Sequence, residues 1–340
     1  MTHRFPIKEI ALQAGLSTAT IDRAINGRAH VSPQTRARVQ AAIAELETQE
    51  AQLAARGRRM FFDFVIEAPA RFSREVQGAA LSVLPQIGAA VCRPRFLTQE
   101  IMESGDAARA LARIVKRGSH GVCLKARDLP ETRAAVEGLA AAGIPVVTLV
   151  TDIQTPARIA YVGLDNHSAG ATAAYLLAKT LRDTSGTVLA MRSNDRFLGE
   201  EERETAFTGA LSDMCPDLSI LTLSGGGGVH YETSRMVGTV TGQLRDLRAV
   251  YSMGGGNRTI LDMLRQNRCL PEIYIAHDLD LENRSLIEAG DVSFILHHDL
   301  KADMQNVFQA FLKHHKLVAG GPALTVSNVQ VITPTNIPPR

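Results

Sequence analysis

The stretch IKEIALQAGLSTATIDRAIN, residues 7–26, decides the fold of the N-terminal part of the chain. Apolar residues recur at helical spacing from Ile7 to Ala14, and Gly15 ends the pattern, so a first helix is predicted to stop at the glycine. Ser17 is a good N-cap for a second helix. Two helices joined by a short glycine-containing turn are typical of a helix-turn-helix, although a plain three-helix bundle gives the same pattern.

A third helix and a linker are predicted to follow this pair. Ser32 and Pro33 form a strong start signal, because serine caps a helix and proline suits its first position. Apolar residues at helical spacing continue to Leu46, and the polar run after it is predicted to be a linker that is helical at most in part. The predicted domains are a headpiece at 1–46, a linker at 47–60 and a larger body at 61–340.

In the body, short apolar strands alternate with helices, which is typical of parallel sheets covered by helices on both faces. Two runs of about five strands predict two α/β lobes, and ligands of such folds bind at the carboxyl ends of the strands, in the cleft between the lobes. The predicted strands are 62–67, 91–97, 121–125, 145–150 and 159–163 in the first run, and 187–192, 219–224, 249–253, 272–276 and 292–297 in the second.

The composition is that of an ordinary globular protein, with 45% hydrophobic and 21% charged residues. The net charge is only +2, but residues 1–60 contain nine Lys or Arg against five Asp or Glu. A basic headpiece on a slightly acidic body suits a headpiece that meets phosphates.

Other features of the chain exclude several classes of site. The N-terminus lacks the apolar core of a signal peptide and no apolar run approaches the ~18 residues of a membrane span, so the expected location is the cytoplasm, without membrane contact. The four cysteines are widely spaced and form no C-x-x-C pair, so reduced thiols are expected, with neither a disulfide nor a zinc site. No cofactor is expected.

The residues of the headpiece carry a specific resemblance to a known family. The pattern is IAxxAGLSxxTIxRxIN over residues 10–26 and HVSxxTRxRVxxAIxxL over residues 30–46. With it, residues 6–46 resemble the headpiece of the LacI/GalR family of bacterial repressors. The body resembles, more loosely, the periplasmic-binding-protein-like core of the same family.

This resemblance implies a fold and a function. The fold is a small all-α helix-turn-helix headpiece joined to an α/β two-lobed periplasmic-binding-protein-like core with parallel sheets and Rossmann-like lobes. The function is sequence-specific transcriptional regulation, as a repressor, controlled by a small-molecule effector such as a sugar, a polyol or a derivative. The implied partners are double-stranded operator DNA, the effector and a second copy of the chain, in a homodimer or a higher oligomer.

The resemblance also assigns DNA contacts by position. The base edges would be contacted by Thr18, Ala19 and Arg23. The phosphates would be bound by Ser17, Thr20, Asn26, His30, Ser32 and Thr35. Arg23 could read a guanine with its fork of donors, and the alternative is a surface ion pair.

Two positions depart from the family pattern. Asp22 stands where the family has a serine, and it would either accept from a cytosine amino group or pair locally with Arg23 or Arg28. Gly57 stands where many members insert a leucine into the minor groove, which puts the usual kink in doubt. Arg56 could still bind the DNA backbone, and solvated linker charge is the alternative.

The effector residues follow from the resemblance and from their positions near strand ends. Arg203 lies in RETAF, residues 203–207, which fits the family's Arg-x-x-Gly-Phe, and Asp278 matches an acidic ligand contact. An arginine and an aspartate at strand ends can clamp a polyhydroxylated molecule. Further candidates are Asp152, Asp165, Asn257 and His298. The absence of Trp and the 5% of aromatic residues weaken a sugar effector, which often stacks on a ring.

Competing functions have little support in the sequence. The glycine runs at 225–228 and 254–256 match no phosphate-binding motif and are predicted to be cleft loops. His297 and His298 are adjacent in a strand, so they point to opposite faces and cannot hold one metal ion together. An enzyme such as a sugar kinase would need a phosphate cradle with a carboxylate beside it, and a transport component would not carry the headpiece.

Overall fold

A computed structural model describes residues 3–28, 31–55, 58–319 and 326–338. The chain divides into two compact units. One contains residues 1–60, 85–92 and 312–321, and the other contains residues 61–84, 93–311 and 322–340.

The N-terminal unit contains the three helices that the sequence predicts, α1 (Ile7–Ala14), α2 (Thr18–Ile25) and α3 (Pro33–Ala55). Gly15 ends α1 in the left-handed conformation, with φ 60°, which glycine adopts without strain. A small core holds the helices together and consists of Phe5, Ile10, Ala11, Ala14, Ile21, Val39, Ala42 and Leu46. Ile7, which the periodicity places on the inner face of α1, is exposed instead.

The third helix is longer than predicted. It continues beyond Leu46 to Ala55, into the segment that the polar composition predicts to be a linker. The physical reason is local, because residues 47–55 (ETQEAQLAA) contain neither glycine nor proline and consist almost wholly of strong helix formers. Lack of apolar periodicity therefore did not mark the end of the helix here.

The first lobe contains a six-stranded sheet in the order β11-β5-β4-β3-β1-β2. Parallel pairing joins β1 to β3, β3 to β4, β4 to β5 and β5 to β11. Its strands are β1 (Arg59–Glu67), β2 (Val91–Gln99), β3 (Gly121–Lys125), β4 (Val146–Leu149), β5 (Ala160–Leu164) and β11 (Val326–Ser327).

The second lobe repeats this arrangement in the order β12-β10-β9-β8-β6-β7. Four pairings are parallel, and β12 runs antiparallel to β10. Its strands are β6 (Gly186–Arg192), β7 (Leu218–Ser224), β8 (Leu247–Ser252), β9 (Ile273–His277), β10 (Phe294–His297) and β12 (Gln330–Ile332). The sequence predicts all strands of the two lobes except β11 and β12, which are two and three residues long.

Helices connect the strands as in other doubly wound sheets. They are α4 (Ala70–Val83), α5 (Asp106–Arg117), α6 (Pro130–Ala141), α7 (Asn166–Thr180), α8 (Leu198–Met214), α9 (His230–Gly238), α10 (Asn257–Gln266), α11 (Leu281–Glu288) and α12 (Leu300–His314). Within the described part of the chain, none of the helices is long and apolar enough to cross a membrane.

Both faces of each sheet are packed. In β8, Ala249 and Tyr251 belong to one apolar cluster and Val250 to the cluster on the opposite face, as the alternation of side chains along a strand requires. In the first lobe, Phe62 of β1 stacks on Phe311 of α12 with ring centroids 4.8 Å apart. Helix α12 therefore follows the second sheet in the sequence but packs on the first.

The chain consequently passes between the lobes three times. It crosses from β5 to α7, from β10 to α12, and from β11 to β12, where residues 328 and 329 separate a strand of one sheet from a strand of the other. We refer to these three connections as the crossing segments.

Candidate functional site

The predicted base-reading residues lie on the exposed surface of α2. Thr18 and Ala19 occupy its first turn, and Arg23 lies one turn further along; all three are exposed. The Nε atom of Arg23 donates to the carbonyl oxygen of Ala19 at 3.1 Å, which holds this side chain along its own helix. These residues are therefore accessible to a macromolecular partner.

Hydroxyl groups cap both α2 and α3 in the same way. The Ser17 hydroxyl accepts from the Thr20 amide at 3.2 Å and shares a hydrogen bond with the Thr20 hydroxyl at 2.8 Å. Ser32 makes the corresponding contacts to Thr35, at 3.1 and 2.8 Å. Both helix N-termini thus present hydroxyls beside free backbone amides, an arrangement that suits phosphate oxygens.

Asp22 is engaged by residues of its own helix and turn. Its carboxylate lies 3.0 Å from Nη1 of Arg28 and accepts from the Asn26 amide at 2.8 Å. Of the two alternatives for this departure from the family pattern, the contacts favour local pairing with Arg28. His30, Arg56 and Gly57 lie outside the described residues.

In the body, a cavity between the two lobes collects residues that follow strand ends. Its space, counted with the part open to solvent, is about 710 Å³. Lys125 ends β3, Val150 follows β4, Ser193 follows β6, and Asp278 follows β9. The cavity therefore lies at the carboxyl edges of both sheets, where doubly wound folds bind ligands.

Arg203 lines this cavity from α8 and is almost fully buried. Its Nε donates to Oδ1 of Asn166 at 2.8 Å and its Nη1 donates to the Met253 carbonyl at 2.9 Å. A Cβ atom at Gly170 of α7 would collide with the Arg203 carbonyl, so α7 and α8 pack backbone to backbone at this point. Helix packing and hydrogen bonds together fix the guanidinium group.

Asp278 lines the same cavity with a constrained backbone. Its φ is 64°, and the side-chain amide of Asn283 donates to the carbonyls of His277 and Asp278 at 2.8 and 2.7 Å. Burial by itself raises the pKa of Asp278, but the hydrogen bond and charge of His298, with the charges of His277 and Arg203, hold the pKa below its ordinary value. The carboxylate is therefore an ionised acceptor.

Lys125 is a cavity residue that sequence reasoning missed. Its Nζ donates to the Glu67 carbonyl at 3.0 Å and lies 4.1 Å from the ring centroid of Phe197 and 5.8 Å from that of Phe72. Burial lowers its pKa. The available signal was a single charged residue at the end of an otherwise apolar strand, GVCLK at 121–125, whose residues are all buried.

An ion pair joins the lobes at the cavity. Arg71 lies on α4, between two strands of the first lobe, and its Nε lies 3.0 Å from Oδ2 of Asp280, the N-cap of α11 in the second lobe. Arg71 also donates to the Gly228 carbonyl at 3.2 Å. Burial raises the pKa of Asp280 to about 6, although the Asn283 amide and Arg71 oppose this rise.

Glu200 and three glycines of the two glycine runs also line the cavity between the lobes. Glu200 accepts from the amide and the hydroxyl of Ser193, both at 2.6 Å. A Cβ atom at Gly254 would collide with Ser193, so glycine permits the close approach of two backbone segments here. The runs lie in cleft loops, as predicted, since Gly227, Gly254 and Gly255 line the cavity.

The remaining predicted effector residues do not line the cavity. Asp152 binds Arg158 with two contacts of 2.6 Å, and Asp165 caps α7 by accepting from the Ser168 amide at 2.9 Å. Asn257 is buried, donating to Asn283 at 2.7 Å and accepting from the Tyr274 hydroxyl at 3.0 Å. His298 is fully buried behind Asp278. Each of the first three has a structural partner that accounts for its polar group.

Metal binding has no support within the described ranges, where no three His, Cys, Asp or Glu residues converge on a point that could hold an ion. The described cysteines are free thiols, three of them buried.

Two family models match the sequence. Residues 6–48 match the bacterial regulatory proteins of the lacI family, and residues 106–314 match the periplasmic binding protein domain. None of the curated proteins compared matches the sequence.

Solved structures of similar fold cover the body. A glucose-galactose binding protein from Geobacillus stearothermophilus is 20% identical with a TM-score of 0.70, over 82% of this chain and 99% of that one. A candidate LacI transcriptional regulator from Bacteroides fragilis is 17% identical with a TM-score of 0.69, over 82% and 98%. A solute-binding protein from Burkholderia graminis in complex with D-arabinose is 16% identical with a TM-score of 0.71, over 83% and 97%. At these identities the likeness establishes the fold of the body.

Proposed function

The chain belongs to the LacI/GalR family and is a DNA-binding transcriptional regulator; from this premise we propose that it is a repressor whose effector is a neutral, polyhydroxylated molecule such as a monosaccharide. The observation that carries the proposal is the presence of Arg203 and Asp278 in one cavity, each held by its own buried partners. A fixed fork of donors and a fixed anionic acceptor suit neighbouring hydroxyl groups, which donate and accept at once.

The charge of the cavity favours a neutral ligand over an anion. Cations from Arg71, Lys125 and Arg203 face carboxylates from Glu100, Glu200, Asp278 and Asp280. Arg71 already pairs with Asp280, and Lys125 donates to a backbone carbonyl. An anionic effector would have to enter a cavity in which the carboxylates outnumber the cations.

Two aromatic rings in the wall support a sugar effector despite the low aromatic content of the chain. Phe72 and Phe197 both line the cavity, and the Lys125 ammonium lies over the Phe197 ring. Ring faces of this kind can pack against the C–H face of a sugar. Two of the structural neighbours are a glucose-galactose binding protein and a solute-binding protein in complex with D-arabinose. Their ligands support the same class of ligand for this chain.

We further propose that α2 reads the operator, with Thr18, Ala19 and Arg23 at base edges and the capping hydroxyls of Ser17, Thr20, Ser32 and Thr35 on phosphates. One headpiece reads one half-site, so two copies of the chain would bind a pseudo-palindromic operator. The division into a headpiece at 1–46, a linker at 47–60 and a body at 61–340 stays a proposal, with α3 continuing to Ala55 and β1 beginning at Arg59 inside the linker range. Both matched families bind DNA or small molecules, and we propose that the chain is not an enzyme and acts in the cytoplasm.

A thermal-shift series on the full chain tests the effector class. The series contains D-glucose, D-galactose, D-arabinose and D-fructose, with D-glucose 6-phosphate as the anionic comparison. A neutral sugar should stabilise the body by about 2.7 kcal/mol at one hundred times its Kd, and its phosphate should stabilise it less. Asp152→Ala serves as a matched control, because this aspartate lies outside the cavity. Stabilisation by the phosphate alone would contradict a neutral effector.

A further inference from the structure

A chain of four polar residues, of which His298 and Asp303 are fully buried and Asp278 and Ser327 partly buried, leads from the cavity to the crossing segments. Nε2 of His298 lies 3.4 Å from Oδ1 of Asp278, and Nδ1 of His298 lies 2.5 Å from Oδ2 of Asp303. The Ser327 hydroxyl donates to the other oxygen of Asp303, at 2.5 Å. We refer to Asp278, His298, Asp303 and Ser327 as the crossing cluster.

Each member of the crossing cluster belongs to a different element. Asp278 follows β9 of the second lobe, and His298 lies in the connection from β10 to α12. Asp303 lies on α12, which packs on the first lobe, and Ser327 lies in β11, which pairs with β5 of the first sheet. The cluster therefore joins the two lobes where two of the three crossing segments pass.

The charges of the crossing cluster require a protonated histidine. His298 and Asp303 are fully buried, and a neutral imidazole would offer one N–H and no positive charge to the two carboxylates on either side of it. Burial lowers the pKa of His298, but the hydrogen bonds and charges of Asp278 and Asp303 outweigh it and raise the pKa to about 9. Other titratable groups interact with Asp278 or Asp303 or lie next to His298; they are His277, His297, Asp299, Arg203, Lys125, Asp280 and Cys123. His298 is therefore a cation at neutral pH.

One contact in the cluster is incomplete. Nε2 of His298 is buried, and its contact with Oδ1 of Asp278, at 3.4 Å, is long and too poorly aligned for a full hydrogen bond. The Asp303 side of the ring is fully engaged, so any tightening must come from Asp278. A rotation of the Asp278 carboxylate would satisfy the donor and would change the oxygen presented to the cavity.

We propose that His298 is a positioning residue that orients Asp278 for the effector and couples this contact to the crossing segments. It does not line the cavity, so it acts through Asp278 and not on the ligand. The inference rests on the proposed function, since it takes Asp278 to be an effector contact. Effector binding at Asp278 would then change the contacts of Asp303 and Ser327, which lie on the first-lobe side of the crossing segments.

The electrostatic coupling can be measured without a ligand. In the full chain labelled with ¹⁵N-histidine, the His298 signal is identified by its loss in His298→Gln and followed from pH 5 to pH 10 by NMR. We expect a midpoint near 9 in the unsubstituted chain. Asp278→Asn and Asp303→Asn should each lower it by about 1 to 3 pH units, since each removes one opposite charge beside the ring. The proposal would be overturned by a titration midpoint at the ordinary ~6.5, or by a midpoint that does not change in Asp278→Asn.

A second measurement tests the effect on binding. By calorimetry with D-galactose and D-arabinose, His298→Gln should weaken binding on the order of tenfold. Ser327→Ala, which changes a hydroxyl outside the cavity, should weaken it severalfold. The matched control is Thr180→Ala, whose hydroxyl donates only to the Leu176 carbonyl of its own helix.

The two measurements separate the two proposals. Unchanged affinity in both His298→Gln and Ser327→Ala would overturn the positioning role even if the NMR midpoint is near 9. If the unsubstituted chain binds neither sugar, the proposed effector class fails, whereas the NMR titration still decides whether Asp278 and Asp303 act on one imidazolium.

Discussion

The headpiece surface and the cleft differ in how far apart in the sequence their interacting groups lie. On the headpiece, Ser17 caps Thr20 and Asn26 binds Asp22, at separations of three and four residues. In the cleft, Arg203 binds Met253 across 50 residues, and Arg71 binds Gly228 across 157. Local sequence therefore determines the headpiece surface, whereas the topology of two sheets assembles the cleft.

The two regions also differ in how far their side chains are exposed to solvent. Thr18, Ala19 and Arg23 are exposed, so salt will screen the charge of Arg23, while Arg203, Asp278 and their partners lie where charge interactions are stronger. If the two regions fold and bind independently in the absence of effector, a substitution in one should leave the binding by the other unchanged under that condition.

The largest effect is expected from Arg203→Ala in the cleft. It removes a charged donor fork that Asn166 and Met253 hold in place, which should weaken sugar binding by about 1.5–3 kcal/mol, roughly 10- to 150-fold. Calorimetry with the sugar that stabilises the unsubstituted chain measures the loss, and Arg158→Ala, outside the cavity, is the control. Loss of sugar-free DNA binding in Arg203→Ala would show that the regions are not independent.

Arg23→Ala on the headpiece should have the next largest effect. Removing a bidentate base contact costs about 1–3 kcal/mol of discrimination at one operator position and leaves the other positions unchanged. Operator sequences selected from a random DNA library by the unsubstituted chain supply the duplexes for a gel-shift comparison. Equal weakening on all duplexes, scrambled ones included, would assign Arg23 to phosphate and not to a base.

A pH-dependent effect on stability is expected at Asp280. Its folded pKa of about 6 lies above the ordinary value, so the folded body binds more protons than the unfolded chain between pH 4 and 6, and stability is lost as pH rises through 6. Asp280→Asn should therefore stabilise the body at pH 7.5, on the order of 1 kcal/mol, and less at pH 5. Urea denaturation at both pH values measures the difference, and a gain that is larger at pH 5 would contradict the sign.

The smallest effect is expected from Asp22→Ser. The substitution frees Arg28 and Asn26 from an exposed pair that contributes less than ~1 kcal/mol to stability. Binding to scrambled DNA should rise and its salt dependence should steepen by about one phosphate contact, while base discrimination stays the same. Weaker discrimination between bases at a single operator position would instead indicate that Asp22 contacts a base.

The sequence allowed the two regions to be predicted to different depths. The headpiece helices followed from periodicity and caps, and the ten longer strands of the body from apolar runs, because these signals are local. Strands β11 and β12 are too short to show alternation and form only because β5 and β10 offer open edges. No local pattern could have predicted them.

The same limit applies to the cleft. Arg203 and Asp278 followed from a family motif, but the ion pair of Arg71 with Asp280 depends on two lobes meeting. Asp165 and Asn257 show why position alone is a weak guide, since a polar residue at a helix start serves as a cap or a buried bridge as readily as a ligand contact. Position at a strand end reduced the number of candidate effector residues but could not show which of them line the cavity.

The return of α12 and β11 to the first sheet has a consequence for synthesis of the protein on the ribosome. The aromatic face of Phe62 and Phe64 is covered by Phe308 and Phe311, which are made only after the whole second sheet except β12. At ~5–20 residues per second, roughly 10–50 s pass between the synthesis of Phe64 and that of Phe308, and during this time the aromatic face is uncovered. We therefore expect the headpiece to fold early and the nascent first lobe to be the part of the chain that engages chaperones.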